Sequence, residues 1–391
     1  MALRYIDSLD LAGTRTFIRA DFNVPLKNGA ITDATRIEAA LPTIQWAIAH
    51  GARIILASHL GRPKGGPDPK LSLQPVAEHL ADVLHLEVRL APDCVGAEIE
   101  NMTRALDRKE ILLLENLRFH PEEEQNDPAF AKQLAALADI YVNDAFGAAH
   151  RAHASTEGMA RLVPIRAAGL LMRKEVEALS KITHNPARPL VAILGGAKVS
   201  DKIKIIEHLL TKVDTLLIGG AMAYTFLRAQ GHSTGDSLVE EDCIEVARTV
   251  LARAKELGVA LRLPIDHLVT TALDGSAAAE ITVEIPAGKK GVDIGPASIA
   301  IYRTAIAGAR TIFWNGPMGI FEVDAFSAGT MAIADAMAES SALTVVGGGD
   351  SIAALARSGR SDDITHISTG GGASLEFLEG RKLPGLAVLE Q

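Results

Sequence analysis

The chain has 391 residues, is 48% hydrophobic and carries a formal net charge of −9, a length that suits two or three domains with a sizeable core. Residues 1–185 hold 21 Lys+Arg against 24 Asp+Glu, and the remainder 18 against 24, so neither half offers a general basic surface for nucleic acid. Aromatic residues make up only 4%, which also argues against a base-stacking platform.

The first residues, MALRYIDSLDLAGTRTF, contain no apolar signal-peptide core, and no run approaches the 18 apolar residues of a membrane span. The expectation is a soluble cytoplasmic protein. Cys94 and Cys243 sit in no C-x-x-C pair and read as ordinary thiols.

Short apolar runs then alternate with helical patterns. In the first half the strand candidates are RTFIRA (15–20), ARIILAS (52–58), EILLLEN (110–116) and DIYVNDA (139–145). A helix-like run, GLLMRKEVEALSKITHNPARP, stops at Asn185-Pro186 and marks a boundary, because proline ends a helix sharply. In the second half the strands read PLVAIL (189–194), DTLLIG (214–219), RTIFWN (310–315), LTVVGG (343–348) and ITHIST (364–369). Between the first two of these, Ile203, Ile206, Leu209, Leu210 and Val213 make one helical face. Continuous apolar strands with intervening helices predict parallel sheets covered on both faces. The fold class expected is α/β: two doubly wound, Rossmann-like domains joined by a helix.

Ligands of open parallel sheets bind beyond the carboxyl ends of the strands. In the first half those positions carry Asp21, Asn23 and, past a loop, Arg36. Then come His59-Leu60-Gly61-Arg62, Arg118, and His150, Arg151 and His153. A single arginine there would be a solvated surface group. Four at equivalent strand ends point to a small anion with phosphate and carboxylate character, which the planar guanidinium fork matches. In the second half the strand ends carry glycine instead: Gly195-Gly196, Gly219-Gly220, WNGPMG at 314–319, GGGDS at 347–351 and TGGGAS at 369–374. Glycines that open helices can cradle phosphates. Lys198 and Lys202 follow the first pair, adding charge, but the spacing is not a Walker A loop, and no strand runs into a clean G-x-G-x-x-G. Asp350 reads either as a helix N-cap or as a ligand of Mg²⁺ held jointly with phosphate oxygens. A small-polyanion half and a nucleotide-phosphate half together have the layout of a small-molecule kinase.

Nine stretches in order, RADFNVPL, ASHLGRP, LLENLRFHPEEE, VNDAFGAAHRAHAS, ILGGAKVSDKI, LIGGAMAYTFL, FWNGPMGIFE, VVGGGDS and ISTGGGASLEFLEG, closely resemble the bacterial phosphoglycerate kinase family over essentially the whole chain. Phe22 stands where that family more often has leucine, and Ser351 where many members have threonine. The resemblance implies reversible phosphoryl transfer between ATP and the carboxylate of 3-phosphoglycerate, giving 1,3-bisphosphoglycerate and ADP, with Mg²⁺, in a monomeric glycolytic enzyme that bends at a hinge. It implies a 3-phosphoglycerate site of Asp21, Asn23, Arg36, His59, Leu60, Gly61, Arg62, Arg118, His150 and Arg151. It implies a nucleotide site of Gly195, Gly196, Ala197, Lys202, Gly219, Gly220, Asn315, Pro317, Glu322, Gly348, Gly349, Asp350 and Ser351, with Asp350 on the metal. Arg36, Lys198, Lys202, Gly349 and Gly372 would serve the transferred group. The implied division is 1–168 with a returning segment 376–391 for 3-phosphoglycerate, a linker helix 169–185, and 186–375 for Mg-nucleotide.

This chemistry needs no general base, because a carboxylate acceptor with a pKa near 4 is already ionised at pH 7. It needs cations and N–H donors around the moving phosphoryl group. A nicotinamide-dependent dehydrogenase would require the missing Rossmann fingerprint. A non-catalytic sugar-phosphate binder would be expected to lack Arg36, Lys202 or Asp350, and all three are present.

Overall fold

The computed structural model describes residues 3–108 and 110–390. Two compact units divide it, one of residues 1–177 with 382–391 and the other of 178–381. The first division falls inside the helix Leu170–Thr183.

The first unit is built on a six-stranded parallel sheet. Its spatial order is Glu87–Leu90, Glu110–Leu113, Arg53–Ala57, Arg15–Arg19, Ile140–Asn143 and Ile165–Ala168. The two central strands, Arg15–Arg19 and Arg53–Ala57, are buried along nearly their whole length, as strands covered on both faces must be. Ile18, Phe22, Ile44, Leu56 and Leu113 belong to the core on one side. The C-terminal residues pair back onto this unit: Gly385 N–H donates to Ala149 O (2.9 Å), and Asn143 Nδ2 and Arg166 Nε donate to Gly385 O (3.0 Å) and Val388 O (2.7 Å).

The second unit also centres on a six-stranded parallel sheet. Its order is Ala260–Arg262, Thr215–Ile218, Leu190–Leu194, Thr311–Asn315, Leu343–Val346 and His366–Ile367. Numbered along the chain, that is 3-2-1-4-5-6, the order of dinucleotide-binding sheets. Ile193, Trp314, Tyr302 and Phe321 anchor its core. All nine expected strands are present.

The structure adds elements with weak sequence signals. Glu87–Leu90 and Ala260–Arg262 are partly exposed edge strands, and Ile165–Ala168 closes the other edge of the first sheet. A three-stranded antiparallel sheet of His267–Thr270, Glu280–Thr282 and Lys290–Ile294 stands beside the second parallel sheet in sequence. One helical face also differs from expectation. The helix begins at Ile203, with Lys202 as its N-cap, and buries Ile205, Ile206, Leu209 and Leu210. Ile203 sits half-exposed in the first turn, and Val213 is buried just beyond the helix end.

Candidate active site

Each sheet reverses its strand order at one place, and the residues that follow the strands there meet. In the first unit the reversal lies between Arg15–Arg19 and its neighbours Arg53–Ala57 and Ile140–Asn143. Asp21 follows the first of these strands and is buried. Its carboxylate takes Arg36 NH1 at 3.0 Å and the Asn23 N–H at 3.2 Å. Asn23 Oδ1 accepts the Gly61 N–H at 2.8 Å, and Gly61 O accepts Arg118 NH1 at 2.9 Å. Asp21, Asn23, Arg36, Gly61 and Arg118 are therefore one bonded set. Leu60 is packed inside, its amide and carbonyl both held by Asn116. Arg151 Nε bonds His150 Nε2 at 3.2 Å. Arg62 is exposed on the same loop.

Arg36 lies in the first turn of the helix Thr35–Ala49, where the helix dipole disfavours a cation. That placement costs stability unless an anion repays it. Arg118 is buried, and its Nε lies 3.1 Å from Glu124 without a hydrogen bond. Glu124 gives this N–H an ion pair but poor hydrogen-bond geometry, which leaves the donor open to an incoming anion.

The sequence reading missed the support beneath this set. Arg19 is fully buried. Its Nε donates to Ser155 Oγ at 2.7 Å, its NH2 to His59 Nδ1 at 3.2 Å, and its NH1 to Ala20 O. Ser155 Oγ in turn donates to the buried Glu123 at 2.5 Å. Burial holds the Glu123 pKa above the ordinary carboxylate value. Burial, then Arg19, Arg118, Arg36 and Arg151, hold His59 well below the usual imidazole pKa. The same causes, with His150 in place of Arg36, push His153 down to about 3. Both rings are thus neutral at pH 7, and the arginines supply the positive field. An arginine inside an otherwise apolar strand was the available signal for Arg19; nothing distinguished Glu123 from its neighbours in PEEE.

In the second unit the reversal lies between Leu190–Leu194 and Thr311–Asn315. The two strand ends are stitched together: Gly195 N–H donates to Asn315 O (3.0 Å) and Gly196 N–H to Pro317 O (3.1 Å). A Cβ at Gly195 would stand 2.0 Å from Pro317 O, so only glycine permits this approach. Gly219 packs against the Met318 side chain. Above them opens a pocket of about 560 Å³, the size of a small-ligand site. Gly196, Ala197, Gly220, Pro317, Glu322 and Asp350 of the expected set line it. Its apolar wall was not read from the sequence: Tyr224, Leu238, Leu273, Val292 and Ile320 form it.

Gly348, at φ +92°, caps the helix Gly349–Ser358. A Cβ there would stand 2.4 Å from Asn315 Nδ2. Because Gly348 is the cap, Asp350 is not; it lies exposed in the first turn, facing the pocket. The Gly349 amide opens the helix with nothing above its Cα. Ser351 is buried and accepts the Gly316 N–H at 2.5 Å, bracing the turn. Gly372 opens the short helix Gly372–Leu378.

The two lysines separate here. Lys202 is half-buried and donates from Nζ to Asn315 Oδ1. Burial lowers its pKa, opposed by Asp201 and Asp350. Lys198 is exposed on the loop.

A parallel α/β fold with an arginine-lined switch point on one sheet and a glycine-lined, pocketed one on the other suits a phosphotransferase. The phosphoglycerate kinase family model matches residues 6–381. A phosphoglycerate kinase of Solibacter usitatus is 59% identical over 396 residues, covering all of both chains, and one of Anaeromyxobacter dehalogenans is 59% identical over 397 residues, with the same coverage. The solved structure of phosphoglycerate kinase from Coxiella burnetii superposes with a TM-score of 0.91 at 44% identity, covering 99% of this chain and 98% of that one. That from Pyrococcus horikoshii superposes at 0.84 and 34% with the same coverage. The chain belongs to the phosphoglycerate kinase family.

Proposed function

We infer that the chain catalyses reversible phosphoryl transfer between MgATP and the carboxylate of 3-phosphoglycerate, giving 1,3-bisphosphoglycerate and MgADP, as a glycolytic enzyme. Family membership supports the reaction. The observation that supports the assignment of residues is the contrast between the bonded Asp21–Arg36–Arg118 set and the pocket carrying Asp350.

In this reading residues 1–168 with the returning C-terminal segment bind 3-phosphoglycerate, and 186–375 bind Mg-nucleotide. Arg36, Arg62, Arg118 and Arg151 neutralise the phosphate and carboxylate of the triose. Asp21 and Asn23 accept its hydroxyl while holding Arg36 and Gly61. His59 and His150 border the same anion. The apolar wall takes the base, and Gly196, Ala197 and Gly220 lie against the sugar and phosphates. Lys202 leaves Asn315 for the nucleotide phosphates, and Lys198 follows the transferred group. The amides of Gly349 and Gly372 donate to the same oxygens. Arg36 and the Gly349 and Gly372 amides stand at helix starts, and charge stabilisation of this kind is the main source of rate in phosphoryl transfer.

Asp350 fits a hard cation: it is an exposed carboxylate facing the pocket where phosphates would lie. Mg²⁺ bound there supplies charge neutralisation to the phosphate oxygens. Among the described residues no helix is long and apolar enough to cross a membrane; we place the activity in the cytoplasm, in a monomer with no nucleic-acid partner.

A coupled assay with ATP and 3-phosphoglycerate tests the function. Turnover that requires both substrates and stops on chelating Mg²⁺ is expected. Binding of both ligands with no turnover would instead make the chain a degenerate, non-catalytic member.

A further inference from the structure

Outside the residues assigned to either ligand, three side chains of different chemistry meet at the edge of the first unit. Asp93 and Cys94 follow the strand Glu87–Leu90, and His120 follows the turn Leu117–Phe119. A carboxylate oxygen, Cys94 Sγ and a His120 ring nitrogen all lie within 4.8 Å of one another. His120 Nε2 is 2.7 Å from Asp93 Oδ1. Cys94 is fully buried, while Asp93 and His120 reach the surface. The His120 ring is fixed by stacking on Phe130, with centroids 5.2 Å apart, and the Cys94 amide donates to Asp93 Oδ1 at 2.6 Å. None of these groups has a part in the phosphoryl-transfer reading.

We propose that Asp93, Cys94 and His120 form a binding site for a thiophilic divalent cation of the Zn²⁺ class, with its fourth position open to solvent. Sulfur, imidazole nitrogen and one carboxylate oxygen are a borderline-soft donor set, which suits Zn²⁺ or Co²⁺. Tetrahedral bonds of about 2.0–2.3 Å place donor atoms roughly 3.5 Å apart, so donors that now lie within 4.8 Å of one another must close by about 1 Å. Mg²⁺ prefers six oxygen ligands, so this site and Asp350 do not compete for one ion. On binding, the Cys94 S–H bond is replaced by a sulfur–metal bond and the proton passes to solvent, with no change of oxidation state. The metal would also replace the His120–Asp93 hydrogen bond. His120 is the residue before the helix Pro121–Glu124, which carries the buried Glu123, so occupancy would stiffen the segment that backs Arg19 and Arg118.

The test uses the full-length chain, stripped with a chelator and titrated with Co²⁺. One equivalent is expected to bind, with a near-ultraviolet thiolate-to-cobalt charge-transfer band that Zn²⁺ displaces and excess Mg²⁺ does not. The band should vanish in Cys94→Ser and persist in Cys243→Ser. Because Cys94 is buried and its variant could misfold, His120→Gln at the surface gives a second arm. Its cobalt affinity should fall at least about tenfold while circular dichroism stays native. No stoichiometric band, a band that survives Cys94→Ser or is lost in Cys243→Ser, or unchanged affinity in folded His120→Gln would each overturn the site.

Discussion

The two switch points are furnished by opposite means. Beyond Arg15–Arg19 the charge sits on side chains: Arg36, Arg118 and Arg151 surround His59, and a buried Arg19 supports them from below. Beyond Leu190–Leu194 the backbone is exposed instead: Gly195 and Gly196 are stitched to Asn315 and Pro317, and Gly348 caps a helix. The difference matches what each would hold. A small, rigid polyanion can be met by guanidinium forks fixed at its edges. A long phosphate tail with a flat base needs close backbone approach along its length and an apolar wall at one end. The first arrangement buries charge and must satisfy it; the second removes side chains and must hold the backbone still.

The sharpest break in this comparison is at Arg19. Arg19→Met would remove a fully buried cation and leave Glu123 behind Ser155 without it. Breaking a buried charge set costs about 3–5 kcal/mol. Urea unfolding of the first unit's signal should show that loss, and Arg19→Met with Glu123→Gln should recover part of it. If the single variant matches wild type in unfolding free energy, the arginine site does not depend on a buried support.

Next in size is Arg36→Ala. Arg36 sits against the helix dipole and bonds Asp21. Its loss should cut kcat by about 10²–10³, the effect of removing one charge-stabilising donor. A raised KM with near-normal kcat would show that Arg36 only binds substrate.

These two residues also show what could be read in advance. The parallel sheets were legible because ARIILAS, EILLLEN and PLVAIL hold continuous apolar runs, the pattern of strands buried on both faces. The glycine turns were legible because glycines recur at strand ends. The antiparallel sheet was not, since Glu280–Thr282 is three residues long and mostly exposed, and with it went Val292 of the pocket wall. The helix after Lys202 was placed correctly but rotated in part: Ile205 faces inward, and Ile203 lies in the half-exposed first turn. Asp350 was left between cap and ligand, and only the backbone, with Gly348 in the cap position, separates the two.

Asp350→Asn is a smaller, more selective break. Losing one charged interaction is worth about 1.5–3 kcal/mol, so MgATP affinity should fall roughly ten- to a hundredfold. Affinity for 3-phosphoglycerate should stay the same. Calorimetry with each ligand separately reads both; an equal loss for both ligands would point to a general disturbance of the fold.

The smallest effect expected concerns His153, and it sharpens the comparison through charge. Burial, with Arg19, Arg118 and Arg151, lowers its pKa to about 3, against about 6.5 unfolded. A histidine depressed in the folded state binds protons preferentially when unfolded. The folded state is therefore undisturbed above about pH 6.5 and loses stability as the pH falls through the window between that value and about 3. One pKa unit is worth about 1.4 kcal/mol at most, and screening reduces it. Wild type should lose about 1 kcal/mol relative to His153→Asn between pH 7 and pH 5. Asparagine is a suitable replacement because it can cap the turn Ala154–Gly158 in place of the ring. Denaturant midpoints for the two proteins across that range read the difference, and the His153 resonance should stay in its neutral form throughout. Saturating 3-phosphoglycerate should raise the His153 pKa, because an anion among the arginines offsets the field that depresses it. The control lies in the second unit: His267, on its antiparallel sheet and at about 4 through burial, has no arginine among its causes, so 3-phosphoglycerate should leave its titration unchanged. A His153 pKa that does not move on saturation, or that moves together with that of His267, would mean that the arginine field is not where the triose binds.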